Sequence, residues 1–283
     1  TGHSWVPSQL CHPSQRTGNI PEHHLSPALG SPSPRLGPRQ VHQGPALRVS
    51  SPRSRRRGQR GRRPRLQPRA ALAEHDRLLR IARDNEALLT RQLDAIAQAA
   101  EARDDKASTW VMAPMVATST EAQWFANLCR ERGLTAGAMI EVPAAALMAD
   151  KIMPHLDFVS IGTNDLTQYT MAADRLSPQL AYLTDPWQPA VLRLIQHTCI
   201  VGQANNVAVG VCGEAAADPM LACVLTGLGV NSLSAASTAV AGVGAQLAEI
   251  TLEQCQQLAE VALDAESPDA ARTAVVETMA SFA

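Results

Sequence analysis

Residues 138–165 read AMIEVPAAALMADKIMPHLDFVSIGTND. Ala138-Met-Ile-Glu-Val is a short apolar run with the length of a strand. Residues 143–152 read as a helix, opened by Pro143, whose fixed φ suits a first helical turn. Phe158-Val-Ser-Ile-Gly is a second apolar run. Two short apolar strands joined by a helix form a βαβ unit, which implies parallel strands buried beneath helices.

The same alternation extends to both sides. Trp110-Val-Met-Ala-Pro-Met-Val is an earlier strand, and residues 120–133 are helical, with Thr120 as cap, Glu121 in the first turn and Gly133 as stop. Downstream come a helix from Pro189 to about Gln203, the strand Val207-Ala-Val-Gly-Val-Cys, a helix over 219–227 and a short strand Val230-Asn-Ser-Leu-Ser. A terminal helix follows Thr251. Leu78, Leu79, Ile81, Leu88, Leu89, Leu93 and Ile96 recur at helical steps, as one amphipathic helix or two broken near Asp84-Asn85. The fold class is therefore α/β, with five strands visible.

The chain has 283 residues and a formal net charge of −1, which conceals two opposite halves. Residues 1–70 carry 13 Arg, no Lys and one acid, Glu22, whereas residues 71–283 carry 12 basic and 25 acidic side chains. The first segment also holds 11 of the 19 Pro and shows no apolar period. It cannot bury enough apolar surface to offset its ordering entropy, so residues 1–70 are expected to be a disordered tail and 71–283 the folded domain. Its Arg, Pro, Gly, Ser and His are also what a GC-rich coding strand yields in the wrong frame. An RNA-binding arm around Ser54 to Arg63 is the competing reading. The chain begins with Thr rather than Met and is expected to be a fragment. No apolar run is long enough to span a bilayer, and no signal-peptide pattern is present. Six Cys without a C-x-x-C pair make neither a disulfide framework nor a zinc site, and a reducing cytoplasm is expected.

Three polar clusters stand directly after three strands: Glu141, Thr163-Asn164-Asp165 and Cys212-Gly213-Glu214. In a parallel α/β fold the C-terminal strand ends share one face, where ligands bind. Glu141 and Asp165 would supply hard oxygens for Mg²⁺, and Arg175, ten residues after Asp165, would reach a phosphate on that face. Each residue also has a plainer reading. Glu141 or Asn164-Asp165 would serve as a helix cap, and Cys212 as a small core residue. Cys129, Cys199, Cys223 and Cys255 fall in helical stretches and read as packing, while His155 and His197 read as surface or loop residues.

These residues carry a family resemblance. Met139-Ile-Glu-Val-Pro-Ala-Ala-Ala, Ser160-Ile-Gly-Thr-Asn-Asp-Leu-Thr-Gln-Tyr-Thr with Ala172-Ala-Asp-Arg, and Val211-Cys-Gly-Glu-Ala-Ala-Ala-Asp-Pro resemble the C-terminal domain of enzyme I of the bacterial sugar phosphotransferase system, a phosphoenolpyruvate–protein phosphotransferase. The likeness covers about residues 77–265. It implies a partial (β/α)₈ TIM-type barrel, about five of eight βα units, that binds phosphoenolpyruvate with Mg²⁺ in the cytoplasm. By matching positions, Glu141 and Asp165 are the metal ligands, and Asn164, Arg175 and Arg77 hold the phosphate. Cys212 is the acid that protonates the enolate carbon as pyruvate forms, tuned by Thr163 and Glu214.

The resemblance also implies partners. The phosphoryl group passes to a histidine on a separate N-terminal domain and then to the phosphocarrier protein HPr, and family members dimerise through this domain. No Gly-Gly-x-x-Ser-His-like motif occurs here, and about three barrel strands are expected to be missing. Pyruvate phosphate dikinase and phosphoenolpyruvate synthase share the Thr-Asn-Asp and Cys-Gly-Glu signatures and are the second reading. A non-catalytic RNA-binding remnant is the third. Neither a membrane nor a nucleic acid is an expected partner of the barrel.

Overall fold

The structure is a computed structural model that describes residues 8–11, 82–83, 85–103 and 108–282. Most of the expected tail, its Arg-rich run and Arg77 thus lie outside the described residues. Within the tail, Ser8–Cys11 forms a strand (β1), which departs from the expectation of no regular structure. It runs antiparallel to the last strand of the sheet, Ser232–Ala235 (β6), with Leu10 opposite Leu233. An edge strand presents unpaired N–H and C=O groups, and an extended segment of almost any composition can pair with them.

The remaining strands are Trp110–Ala113 (β2), Thr135–Ile140 (β3), Phe158–Gly162 (β4) and Ala208–Cys212 (β5). The sheet order is β1-β6-β5-β4-β3-β2, and β2 to β6 are parallel. Five parallel strands in sequential order, with helices between them, are an arc of a (β/α) barrel; a doubly wound sheet would reverse its order at a switch point. β3 starts earlier than its apolar run. Thr135-Ala-Gly lacks large apolar side chains but pairs residue for residue with Trp110-Val-Met.

Side chains alternate across the sheet with the strand period of two. Ala136, Ala138 and Ile140, Val159 and Ile161, and Val209 and Val211 are buried in one core with the helices. Met139, Ser160 and Cys212 belong to the other face and are only partly buried. There Trp110 lies over Phe158, ring centroids 4.7 Å apart.

The helices are Glu86–Glu101 (α1), Ser119–Arg130 (α2), Pro143–Leu147 (α3), Ala149–Ile152 (α4), Thr163–Thr170 (α5), Pro189–Asn205 (α6), Pro219–Gly227 (α7), Ser237–Ala248 (α8), Leu252–Asp264 (α9) and Pro268–Ala280 (α10). Thr118, not Thr120, caps α2. The Thr118 hydroxyl accepts the Glu121 N–H at 3.2 Å and the Glu121 carboxylate accepts the Thr118 N–H at 3.0 Å, the reciprocal pair of a capping box, whereas Thr120 lies inside the helix. Thr251 and Gln254 close a second box at α9. The helix expected over 143–152 is interrupted at Met148, where ψ opens to 24°. Cys129, Cys199, Cys223 and Cys255 are buried on helices, as their spacing implied. His197 is exposed on α6, and His155 follows α4 in a short turn, its Nε2 3.0 Å from Ser119 Oγ. Among the described residues no helix is long and apolar enough to cross a membrane.

A cross-link ties the last helix to the middle of the chain. The fully buried Trp187 donates its indole N–H to Asp218 Oδ2 at 3.0 Å, while Asp218 Oδ1 accepts from Met220 N–H and Leu221 N–H at the start of α7. Arg272 of α10 lies over the Trp187 ring at 5.4 Å and donates to Asp185 Oδ1 at 2.8 Å.

α7 and α9 approach so closely that a Cβ on Gly227 would meet the Cys255 carbonyl. A Gly-to-Ala change in a helix ordinarily gains up to about 1 kcal/mol. Here Gly227→Ala is expected to lose about 1–3 kcal/mol, the usual cost of overpacking. Urea denaturation of the two proteins measures the sign directly.

Candidate functional site

Strand register assembles the site. Ile140 pairs with Ile161, Ile161 with Val211, and Gly162 with Cys212, so the C-terminal ends of β3, β4 and β5 finish level. The residue after Ile140 is Glu141, and the residue after Gly162 is Thr163. Three segments far apart in sequence thus turn out of the sheet side by side.

Glu141 is only 4% exposed. Its Oε1 accepts the Met115 N–H at 2.7 Å from the loop after β2. Met115 takes a left-handed backbone, φ 56°, to aim that amide, a conformation that costs a non-glycine residue roughly 1–2 kcal/mol. On the other side, a Cβ on Gly162 would lie 2.8 Å from Glu141 Oε2, so a side chain at 162 would push the carboxylate out. Burial raises the Glu141 pKa above the ordinary carboxylate range. The Met115 amide opposes that rise, the Asp165 charge adds to it, and Arg175 opposes it.

Thr163, Asn164 and Asp165 form the first turn of α5, directly after β4. Thr163 is buried, and its hydroxyl donates to the Cys212 carbonyl at 3.0 Å. It therefore holds the backbone at the end of β5 rather than the thiol. The chain leaves β5 through Gly213 at φ 97°, passing over Thr163 and Asn164. Asp165 Oδ1 is 3.9 Å from Arg175 Nη1, close enough for charge attraction but not for a hydrogen bond.

Cys212 is partly buried, and its thiol donates to the Ile161 carbonyl at 3.4 Å. Burial pushes its pKa up, the Ser160 hydroxyl pulls it down, and the Glu141 and Asp165 charges push it up again. The thiol is thus kept protonated near neutrality. Glu214 does not join this group. It is exposed at the start of a short turn, and the carboxylates that act on Cys212 are Glu141 and Asp165. Gly213, at φ 97°, stands between Cys212 and Glu214.

The site thus joins Glu141, Asn164, Asp165, Arg175 and Cys212 at one end of the sheet, with Thr163 as a tether. Among the described residues no three His, Cys, Asp or Glu side chains converge as a metal cluster. Two carboxylates are present, and Mg²⁺ commonly takes one or two protein carboxylates and completes its shell with water or substrate oxygens. Three contributors escape a reading by residue type: the Met115 amide, the Ser160 hydroxyl and Gln168, whose Oε1 accepts the Arg175 N–H at 3.1 Å. Only Gln168 leaves a sequence signal, a position one helical turn past Asp165. A groove of about 550 Å³ lined by Glu260, Asp264 and Ala274, between α9 and α10, contains none of these residues.

Residues 76–252 match the family described as PEP-utilising enzyme, PEP-binding domain. The chain is 50% identical over 198 residues to phosphoenolpyruvate-protein phosphotransferase of Streptomyces coelicolor, covering 69% of this chain and 35% of that protein. It is 38% identical over 207 residues to the protein of the same name in Mycoplasma genitalium, covering 70% and 36%. It is 41% identical over 195 residues to a multiphosphoryl transfer protein of Rhodobacter capsulatus, covering 66% and 23%. The chain thus spans about a third of the length of the first two relatives.

A protonated Cys212 has a measurable consequence, because the thiolate is the reactive form. Near neutral pH, iodoacetamide is expected to modify Cys212 more slowly than glutathione. The rate should climb only as the pH passes above the ordinary thiol range. Peptide mapping across a pH series follows this; alkylation as fast as that of glutathione at neutral pH would show an ionised thiol.

Proposed function

The chain belongs to the phosphoenolpyruvate-utilising enzymes, through their phosphoenolpyruvate-binding domain, and we propose that it binds phosphoenolpyruvate with Mg²⁺ and hands its phosphoryl group to a protein histidine, leaving pyruvate. The observation that carries the proposal is the level register of β3, β4 and β5, which puts Glu141, Asp165 and Cys212 at one sheet end within the matched segment.

The donor set suits the metal. Glu141 and Asp165 offer hard carboxylate oxygens, and Glu141 is oriented by Met115 N–H and buried beside Gly162. When bound there, Mg²⁺ would neutralise charge on the phosphoryl and enolate oxygens. The chain's own groups account for the rest. The Arg175 guanidinium, which makes no hydrogen bond to a described residue, holds phosphoryl oxygens together with the Asn164 amide. Phosphoryl transfer depends mostly on such positioning and charge neutralisation.

As the P–O bond breaks, the phosphoryl group goes to the acceptor nitrogen and the electron pair stays on the enolate. Cys212 gives its proton to the enolate carbon, which becomes the pyruvate methyl group. A raised pKa keeps that proton available, and the Ser160 hydroxyl then faces the resulting thiolate. The thiol is restored by a proton from water.

The acceptor is a protein in the names of the Streptomyces and Mycoplasma relatives. We place this chain in the same role: a cytoplasmic, homodimeric phosphotransferase that opens the sugar phosphotransferase relay and serves HPr through a further domain. Arg77, at the start of the matched segment, is proposed as an added phosphate contact.

Calorimetry with phosphoenolpyruvate, with and without Mg²⁺, tests the reading. Glu141→Ala and Asp165→Ala are each expected to weaken Mg²⁺-dependent binding by more than about tenfold, since each removes a hard ligand. Cys212→Ala is expected to bind as the parent does. Its exchange of solvent deuterium into the pyruvate methyl group should fall by about a hundred- to ten-thousand-fold. Binding that ignores Mg²⁺ in the parent chain, or persistent exchange without the thiol, overturns the assignment.

A further inference from the structure

Arg175 is about half exposed, and an exposed guanidinium on a loop has many conformations to lose before it can hold a phosphate. Its main chain, however, is fixed. Beyond the end of α5 the Met171 N–H still reaches the Thr167 carbonyl at 2.9 Å, and Ala172 turns the backbone at φ 51°. The Ala173 N–H then donates to the Gln168 carbonyl at 3.0 Å, and the Arg175 N–H donates to the Gln168 side-chain Oε1 at 3.1 Å. Gln168 therefore takes two amides of the returning loop, one on its backbone and one on its side chain. It is 7% exposed, and a buried amide side chain is retained where its hydrogen bonds are made.

Gln168 lies three residues after Asp165 on the same helix. We infer that Gln168 is a positioning residue for Arg175: α5 carries a site carboxylate on its first turn and, through the Gln168 side chain, sets where the guanidinium stands relative to it. The value of Gln168 for phosphate binding rests on the proposed reading of Arg175; its hold on the loop does not. The resulting 3.9 Å between Asp165 and Arg175 gives charge attraction while leaving the guanidinium N–H groups unspent, as an oxyanion site requires.

The experiment uses the 283-residue chain with two substitutions. Gln168→Met keeps length and volume but leaves only a weak acceptor. Gln168→Glu keeps an accepting oxygen. Hydrogen–deuterium exchange is read at the Arg175 amide, and calorimetry reads the affinities for phosphoenolpyruvate and for pyruvate, each with Mg²⁺. Exchange at Arg175 is expected to be about fivefold faster in Gln168→Met and to return close to the parent rate in Gln168→Glu. Phosphoenolpyruvate affinity is expected to fall about fivefold to tenfold in Gln168→Met while pyruvate affinity holds, because pyruvate has no phosphoryl group to contact. Unchanged exchange in Gln168→Met overturns the inference. So does an equal loss for both ligands, which would mark Gln168 as general support of the fold. A parent chain that binds no phosphoenolpyruvate defeats the functional reading instead, and the exchange rates still decide whether Gln168 fixes Arg175.

Discussion

The space that a side chain at position 162 would occupy is taken by the Glu141 carboxylate and the Met139 sulfur, whose atoms lie 2.8 and 2.9 Å from that point. Much of the site depends on this missing methyl group. Because β4 ends in a bare backbone, Glu141 can fold across it, and because Gly162 pairs with Cys212, the thiol stands on the same level. An alanine at 162 would displace the carboxylate and disturb the Met115 hydrogen bond that aims it.

That arrangement concentrates negative charge where water is scarce. Glu141 is buried, Asp165 is near enough to raise its pKa, and both carboxylates act on Cys212. Ionised carboxylates without full compensation are costly to bury. The Met115 amide and the Arg175 charge offset part of this, and a divalent cation between the carboxylates would offset more. The same surplus that invites a cation also adds to the burial that keeps the thiol protonated.

The strands were legible because Ala-Met-Ile, Phe-Val-Ser-Ile and Val-Ala-Val-Gly-Val are short apolar runs, and polar residues at their ends marked the face where chemistry sits. Glu141, Asp165, Arg175 and Cys212 do meet there. The start of β3 was invisible, since Thr135-Ala-Gly pairs through its backbone and offers no apolar side chain to notice. The cap of α2 lies two residues earlier than expected: Thr118 and Thr120 have Glu121 and Gln123 three positions on, so the spacing alone does not choose between them. Glu214 is exposed just past Gly213, which has a positive φ, and the motif alone does not tell whether it faces the thiol. Met115 and Ser160 act through a backbone torsion and a cross-strand contact, neither of which has a sequence period. Arg77 and most of the first 70 residues lie outside the described residues.

The cross-link through Trp187 and Arg272 has a bearing on the order in which the protein is made. Asp185 and Arg272 are 87 residues apart, and Arg272 lies on the last helix. A ribosome adding about 5–20 residues per second needs roughly 4–17 seconds to cover that interval. Throughout it, β3, β4 and Arg175 have already been synthesised, while Asp185 and Trp187, beyond Arg175, still lack their Arg272 contacts. The loop is held first by Gln168 and by Trp187 on Asp218, and the Arg272 contacts are added to these later.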